Sequence, residues 1–224
     1  MKRYALIVAA GSGARMGSSL AKQFMLLDGK PVLMHTIRRF ADAKHIELIV
    51  VLPPSEMTYW KGLCSQHKFL IPHTLVAGGA SRTESVRNGL EKVKEGIVAV
   101  HDGVRPFVST GLIIHCFEEA EKFGNAVPAV SLHDSIRRVT SSSNEHVDRN
   151  DFMLIQTPQC FETAHLKAAY ASAEEQVFTD DASVAENAGM SIHLVQGQKE
   201  NFKITTKADL AMAEGLIRAL ESKS

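Results

Sequence analysis

Short β-branched runs alternate with segments of helical period along almost the whole chain, and this alternation narrows most sharply what the chain can become. It predicts an α/β fold with a Rossmann-like, mostly parallel sheet and helices on both faces. Tyr4 to Ala10 is apolar without a break, as a strand buried on both sides requires. Further strands are expected at Ile46–Leu52, stopped by Pro53 and Pro54, and at Thr74–Val76, Ile97–Val100, Ala126–Val130, Ser191–Val195 and Phe202–Thr205. Helices are expected from Pro31, from about Ser55, from Ser81 and from Ala208, near 162–173 and 181–188, and from a cap at Ser109 or Thr110 to Gly124. Between 134 and 155 the rhythm breaks. Two extended pieces, Ser135–Thr140 and Asp151–Ile155, flank the polar run Ser141–Asn144, which reads as a β-hairpin arm protruding from a single domain spanning 1–224.

Charge decides against several classes of partner. Lys plus Arg and Asp plus Glu both number 25, so the net charge is zero and no general surface for nucleic acid or anionic membrane is expected. The longest apolar runs fall short of a membrane span, and the N-terminal residues run directly into a strand rather than a signal peptide. Cys64, Cys116 and Cys160 are widely spaced and odd in number, which argues against a disulfide framework or a zinc site and for a reduced, cytoplasmic protein.

The loop after the first strand carries the first chemical signal. Ala9, Ala10 and Gly11 are small enough for backbone to approach a flat ligand, and Gly11 and Gly13 permit a tight turn with N–H groups facing phosphates. A dinucleotide fingerprint fails on spacing, because Met16 stands where its third glycine belongs and Gly17 comes one place too late; a Walker loop fails for want of Gly-Lys-Ser/Thr. Arg15 and Lys22 bracket the loop with two cations, a pair suited to a phosphorus centre that gains negative charge.

A second cluster, His101 to Pro106, follows a buried strand. Asp102 is placed to hold a divalent metal or a ribose hydroxyl, Arg105 to meet a phosphate or lock Asp102, and His101 reads as a packed, hydrogen-bonded histidine rather than a catalytic one. Gly78 to Ser85 joins two glycines to a helix start and suits backbone contacts to a base edge, although Ser81 and Glu84 also have capping-box spacing. Lys203, flanked by Asn201 and Thr205, belongs to a polar rim.

Taken in order, these strings resemble the bacterial 2-C-methyl-D-erythritol 4-phosphate cytidylyltransferases of the non-mevalonate isoprenoid pathway. The resemblance runs from Ala9 to Leu210 through Ala9–Met16, Lys22–Phe24, Gly78–Gly79 with Ser85–Val86, His101–Asp102 with Arg105–Pro106, Asp134–Ser135, Val147–Asn150, Gln156–Gln159, Thr179–Ser183 and Asn201–Thr205. It implies a nucleotidyltransferase-type sheet and an enzyme that takes CTP, a small sugar-alcohol phosphate and Mg2+. By the same similarity, Ala9, Ala10, Gly79 and Ser85 read cytosine, Arg15, Lys22 and Lys203 grip the phosphates, and Asp102 lies by ribose and metal. Arg105, Ser135 and Arg149 hold the methylerythritol phosphate, Arg149 reaching in from the 134–155 arm of a partner in a homodimer. Ala21 where the family usually has proline, Ser135 for threonine and Ala80 for an acid are the departures.

The nucleophile in such a reaction is a phosphate monoester with a second pKa of about 6, so no general base is needed, which accords with cations and a carboxylate but no Ser-His or Cys-His pair. Ribitol-5-phosphate cytidylyltransferases share the glycine loop and the Asn-x-Lys-Ile-Thr string, whereas Val147–Asn150 and Thr179–Ser183 favour the methylerythritol enzyme. A nucleotide-binding regulator without turnover sits poorly with three retained cations, and a dehydrogenase with the failed glycine spacing.

Overall fold

A computed structural model describes residues 1–11, 21–173 and 178–221. The first half runs β1 (Arg3–Val8), β2 (Leu26–Leu27), β3 (Lys30–Pro31), α1 (Val32–Asp42), β4 (Ile46–Leu52), α2 (Met57–Gln66), β5 (Thr74–Ala77), α3 (Arg82–Leu90) and β6 (Ile97–Asp102). The second runs α4 (Thr110–Phe123), β7 (Asn125–Ser131), β8 (Arg137–Val139), β9 (Asn144–His146), β10 (Met153–Ile155), β11 (Gln159–Glu162), α5 (Thr163–Ser172), α6 (Asp181–Asn187), β12 (Leu194–Gln196) and α7 (Lys207–Glu221).

The main sheet has the order β5-β4-β1-β6-β11-β7, with β12 and β10 also paired to β7. β5, β4, β1 and β6 are parallel, β11 is antiparallel to both its neighbours, and β12 is parallel to β7. Alternation along β1 sends Ala5 and Ile7 into a core with Phe40, Trp60 and Phe117 on one face, and Tyr4 and Leu6 into a core with Val86, Phe161 and Tyr170 on the other. Both faces of the strand are therefore filled, which explains its unbroken apolar sequence. Pro128 sits inside β7 without a backbone donor because the chain along that side is interrupted there: β10 ends at Ile155 opposite Ala129, and β11 resumes pairing at Cys160 opposite Ala126.

Register aligns Val8 with Val51 and with Asp102, so the carboxyl ends of β1, β4 and β6 finish level. The loops that follow them meet at one edge, where parallel α/β sheets bind ligands.

Two expectations are corrected. The segment from Phe202 to Thr205 is not a strand; it is an extended strap whose Ile204 N–H donates to Val104 O at 2.9 Å while the Ile204 side chain is buried with Leu27, Val32 and Phe107. Its apolar-polar alternation records packing against a turn rather than a sheet ladder. The arm also closes differently. Thr140 and Ser143 form a tight turn, with Thr140 N–H to Ser143 O at 2.8 Å and Ser143 N–H to Thr140 Oγ1 at 3.1 Å, so Arg137–Val139 pairs with Asn144–His146. The apolar run Met153–Ile155, expected as the second leg, pairs instead with Ser131–Ala129 of β7. A nearby polar turn closes at lower entropic cost than the longer loop would.

Candidate active site

At the level carboxyl ends lies a pocket of about 360 Å3, within the range of small-molecule sites. Ala9, Ala10, Gly11, Lys22, Gly79, Ser85, Asp102 and Lys203, all singled out in the sequence, line it together. Gly13 and Arg15 lie outside the described residues. Ser135 and Arg149 are exposed on the arm and do not line the pocket of their own chain; the Arg149 guanidinium donates to the His133 carbonyl and so ties the later part of the arm to the chain just before it.

Asp102 is the centre of the pocket's electrostatics. Its Oδ2 accepts from Arg105 Nε at 3.2 Å and faces Lys203 Nζ at 3.0 Å. Burial alone would raise this carboxyl, but the charges of Lys203, Arg105 and Arg82 hold it well below the usual carboxylate range. Of the two roles open to Arg105, the structure shows the lock on Asp102; its Nη1 also donates to Asn201 O at 2.8 Å, and the side chain is largely buried outside the pocket lining.

The turn carrying these residues is held at every carbonyl from Asp102 to Pro106. Asp102 O receives Arg105 N–H at 3.1 Å, Gly103 O the Thr36 hydroxyl at 2.9 Å, and Val104 O the Ile204 N–H at 2.9 Å. Arg105 O pairs with His101 Nε2 at 3.2 Å, and Pro106 O receives Arg39 Nε at 3.2 Å. Such complete pairing leaves the turn little freedom. Gly103 is required by closeness, since a Cβ there would lie 2.8 Å from Ala9 Cβ.

His101 is the structural histidine the sequence suggested. It is fully buried, its ring packs edge-on against Phe40 at 4.8 Å, and its Nδ1 lies 3.0 Å from Thr157 Oγ1. Because Arg105 O only accepts, Nε2 carries the hydrogen and Nδ1 accepts from the Thr157 hydroxyl, whose oxygen in turn receives Asp102 N–H at 3.1 Å. Burial pushes the imidazole down to about 4, with the Arg105 and Lys203 charges acting in the same direction. The unfolded chain therefore binds this proton first as pH falls, and stability is lost between about pH 6.5 and 4. Denaturant unfolding at pH 7 and pH 5 should differ by about 2 kcal/mol from this group. If replacing His101 by asparagine leaves the pH 7-to-5 difference unchanged, the assignment fails.

Lys203 is delivered by the strap. Asn201 is buried and donates to Thr157 O at 2.8 Å, Phe202 stacks on Phe107 at 5.5 Å, and Asp209 Oδ2 caps the strap's end by accepting from Thr205 and Thr206 N–H, each at 2.8 Å. Lys22 is delivered by a short 3-10 turn over Lys22–Phe24, anchored by Gln23, whose amide donates to Ala9 O at 2.9 Å, and by Phe24 against Trp60.

The opposite wall is Gly78 to Ser85. Gly79 N–H donates to Ser85 Oγ at 3.1 Å, and the Ser85 hydroxyl gives its hydrogen to Ser81 O at 2.8 Å. Toward a ligand, Ser85 Oγ can therefore only accept. Ser81 Oγ caps α3 by accepting Glu84 N–H at 3.0 Å, but Glu84 reaches back to Ala80 N–H at 2.7 Å rather than to Ser81, so the capping box is displaced by one residue. Gly78 must lack a side chain, since a Cβ would stand 2.6 Å from Ala10 Cβ.

Among the described residues no cluster of three His, Cys, Asp or Glu side chains is placed to hold a metal. Asp102 nonetheless fits the way magnesium binds with nucleotides, through one or two carboxylates plus phosphates, because both its ion-pair contacts fall on Oδ2.

A model of the 2-C-methyl-D-erythritol 4-phosphate cytidylyltransferase family matches residues 4–219. The chain belongs to this family. It is 48% identical over 219 residues to the 2-C-methyl-D-erythritol 4-phosphate cytidylyltransferase of Phocaeicola vulgatus, covering 97% of this chain and 100% of that one. The corresponding protein of Bacteroides thetaiotaomicron is 46% identical over 220 residues, covering 97% and 100%. Among solved structures, the 2-C-methyl-D-erythritol 4-phosphate cytidylyltransferase of Thermus thermophilus superposes with a TM-score of 0.79 at 33% identity over 97% of this chain and 100% of that one. The 4-diphosphocytidyl-2C-methyl-D-erythritol synthase of Anaerococcus prevotii gives 0.84 at 27% identity, over 96% and 95%.

Membership gives the remaining family strings a physical reading. Gln156, Thr157 and Gln159 have no role assigned from the sequence, and Asn201, expected on a polar rim, is instead fully buried because its amide donates to Thr157 O; all four are buried and hydrogen-bond beneath the pocket loops. Arg82 falls within the Gly78–Ser85 stretch but takes no role of its own from the sequence, yet it lines the pocket and pairs with buried Asp181 at 2.6 Å. Its position at a capped helix start is the available signal.

Proposed function

We infer that this protein joins CTP and 2-C-methyl-D-erythritol 4-phosphate to give 4-diphosphocytidyl-2-C-methyl-D-erythritol and pyrophosphate. The observation that carries the chemistry is the convergence of Lys22, Lys203 and Asp102 on a pocket floored by Ala9 to Gly11. The substrate phosphate oxygen attacks the CTP α-phosphorus, a new P–O bond forms, and the bond to the β-phosphate oxygen breaks with its electron pair leaving on pyrophosphate. Lys22 and Lys203, with Arg15, hold the triphosphate in line and neutralise charge as it shifts to the leaving group. Asp102 is assigned to the ribose and to magnesium, which when bound neutralises part of the triphosphate and eases departure of pyrophosphate.

Cytosine is assigned to Ala9, Ala10, Gly79 and Ser85. A Ser85 oxygen that only accepts suits the cytosine amino group and opposes the uracil carbonyl. CTP is therefore expected to be used about 5- to 150-fold more efficiently than UTP, since an unpaired buried acceptor costs about 1–3 kcal/mol. Comparable kcat/KM for both nucleotides would contradict the assignment.

The methylerythritol phosphate is assigned to Ser135 and Arg149 from the arm of a second subunit, and to Arg105, which locks Asp102 in the protein without substrate and would exchange that contact for the phosphate. What supports a homodimer is a set of apolar side chains on and beside the arm that a single chain leaves in water: Val139 is 74% exposed, Leu154 55% and Phe152 40%. A cytoplasmic setting is supported by three free cysteines, two of them buried. No described helix is long and apolar enough to cross a membrane. Incubation with CTP and either 2-C-methyl-D-erythritol 4-phosphate or ribitol 5-phosphate, followed by pyrophosphate release, tests the function; release with only the ribitol ester rejects it.

A further inference from the structure

Asp181 is a fully buried carboxylate outside the pocket, at the first position of α6. Its two oxygens accept from the Arg82 fork at 3.1 and 2.6 Å, and Oδ1 also accepts the Tyr170 hydroxyl at 2.6 Å. Its own N–H and that of Ala182 donate to Gln159 Oε1 at 2.9 and 2.8 Å. Residues of β11, α5 and α6 thus fix one carboxylate in place. Stability alone is a poor reason for such a group, because apolar residues of similar volume commonly replace a buried ion pair without loss.

What Asp181 holds is more telling. Arg82 is the first residue of α3, and the wall before it moves with that turn: Gly79 N–H is tied to Ser85, Ala80 N–H to the Glu84 carboxylate, and Ser81 Oγ to Glu84 N–H. At its far end the wall is joined to the sheet by Gly78 N–H to Leu52 O at 2.8 Å. There is no slack toward the opposite loop, since even a methyl group on Gly78 would collide with Ala10. A small displacement of Arg82 is therefore transmitted to Gly79, Ala80 and Ser85.

We propose that Asp181 is a positioning residue for the nucleotide: by holding Arg82 it sets the place of the Gly78–Ser85 wall against Ala9 and Ala10. The proposal rests on the reading of that wall as the cytosine site. It predicts an effect on CTP binding and not on the second substrate. Asp181→Asn keeps the volume, removes the charge and turns one acceptor toward Arg82 into a donor. Tyr170→Phe removes one hydrogen bond from Asp181 and leaves the ion pair.

The test is calorimetric titration with CTP alone together with steady-state kinetics, on protein whose circular dichroism melt is recorded. Asp181→Asn should weaken CTP binding and raise its KM about tenfold, with the KM for the sugar phosphate unchanged; Tyr170→Phe should do the same about two- to threefold. Unaltered CTP affinity in folded Asp181→Asn overturns the proposal, as does a fall in kcat with both KM values intact, which would mark only a smaller folded fraction. If Asp181→Asn does not fold, Tyr170→Phe decides: a raised CTP dissociation constant supports the proposal and an unchanged one rejects it. Wild-type protein that binds CTP but releases no pyrophosphate rejects the function while the titrations still judge Asp181; wild-type protein that does not bind CTP rejects both.

Discussion

Lys203→Met is expected to lower kcat about 10²- to 10³-fold while the KM for CTP rises far less, the loss typical of removing one preorganised charge from a transition state. Methionine keeps most of the aliphatic stem, so the strap, secured by Ile204, Asn201 and Phe202, should stay docked. Asp102 would retain its contact with Arg105 at 3.2 Å, leaving a pocket with its carboxylate but one cation fewer. Charge moves onto the leaving pyrophosphate as the reaction proceeds, so the missing ammonium matters most there. Wild-type kcat in the variant, with saturating CTP, would remove Lys203 from the chemistry.

The second large effect is a recovery. Arg149→Ala and Lys22→Ala proteins should each be nearly inactive, and an equal mixture allowed to exchange subunits should regain about a quarter of wild-type activity, because half the dimers are mixed and each has one intact site of two. The geometry behind this is the separation of Arg149, exposed on the arm, from the pocket of its own chain. Exchange verified by a tagged subunit, with activity still at the level of the separate mutants, would sink the composite site while leaving the dimer itself open to measurement by sedimentation.

How far the sequence is legible depends on whether the governing interaction is local. β1 is readable because burial on both faces writes itself into consecutive residues, and α4 because its ends carry their own chemistry: Ser109 Oγ accepts Leu112 N–H at 3.0 Å, and Gly124 closes the helix at φ 81°. Most of the pocket lining is readable for the same reason, since small residues and cations follow strand ends. The strap reads as a strand because alternation reports which side chains are buried and not what buries them. The arm's register escapes the sequence because the turn at Thr140 and Ser143 depends on side-chain hydrogen bonds that hydrophobic pattern does not register. Arg82 and Asp181 are 99 residues apart, and no periodicity in one chain announces that they meet. Arg105 stands between two roles in the sequence, and only the approach of Asn201 O from the far end of the chain decides between them in the protein without substrate.

The pairing of Asp102 with Lys203 and Arg105, and of Asp181 with Arg82, also governs what an approaching nucleotide feels before contact. Three of the cations that line or brace the pocket are already offset by two carboxylates within 3.2 Å. With Lys22 also in the lining, four cations stand against two carboxylates among the described residues, so the pocket keeps a surplus of two positive charges on a protein whose net charge is zero. Attraction of CTP from beyond about 8 Å, the Debye length at physiological ionic strength, is consequently limited to that small surplus, and the remaining cations are won at close quarters by exchange of ion-pair partners. The association rate should fall only modestly with added salt, and the enzyme gains selectivity against the many other polyanions of a cell that a fully unpaired set of cations would draw in.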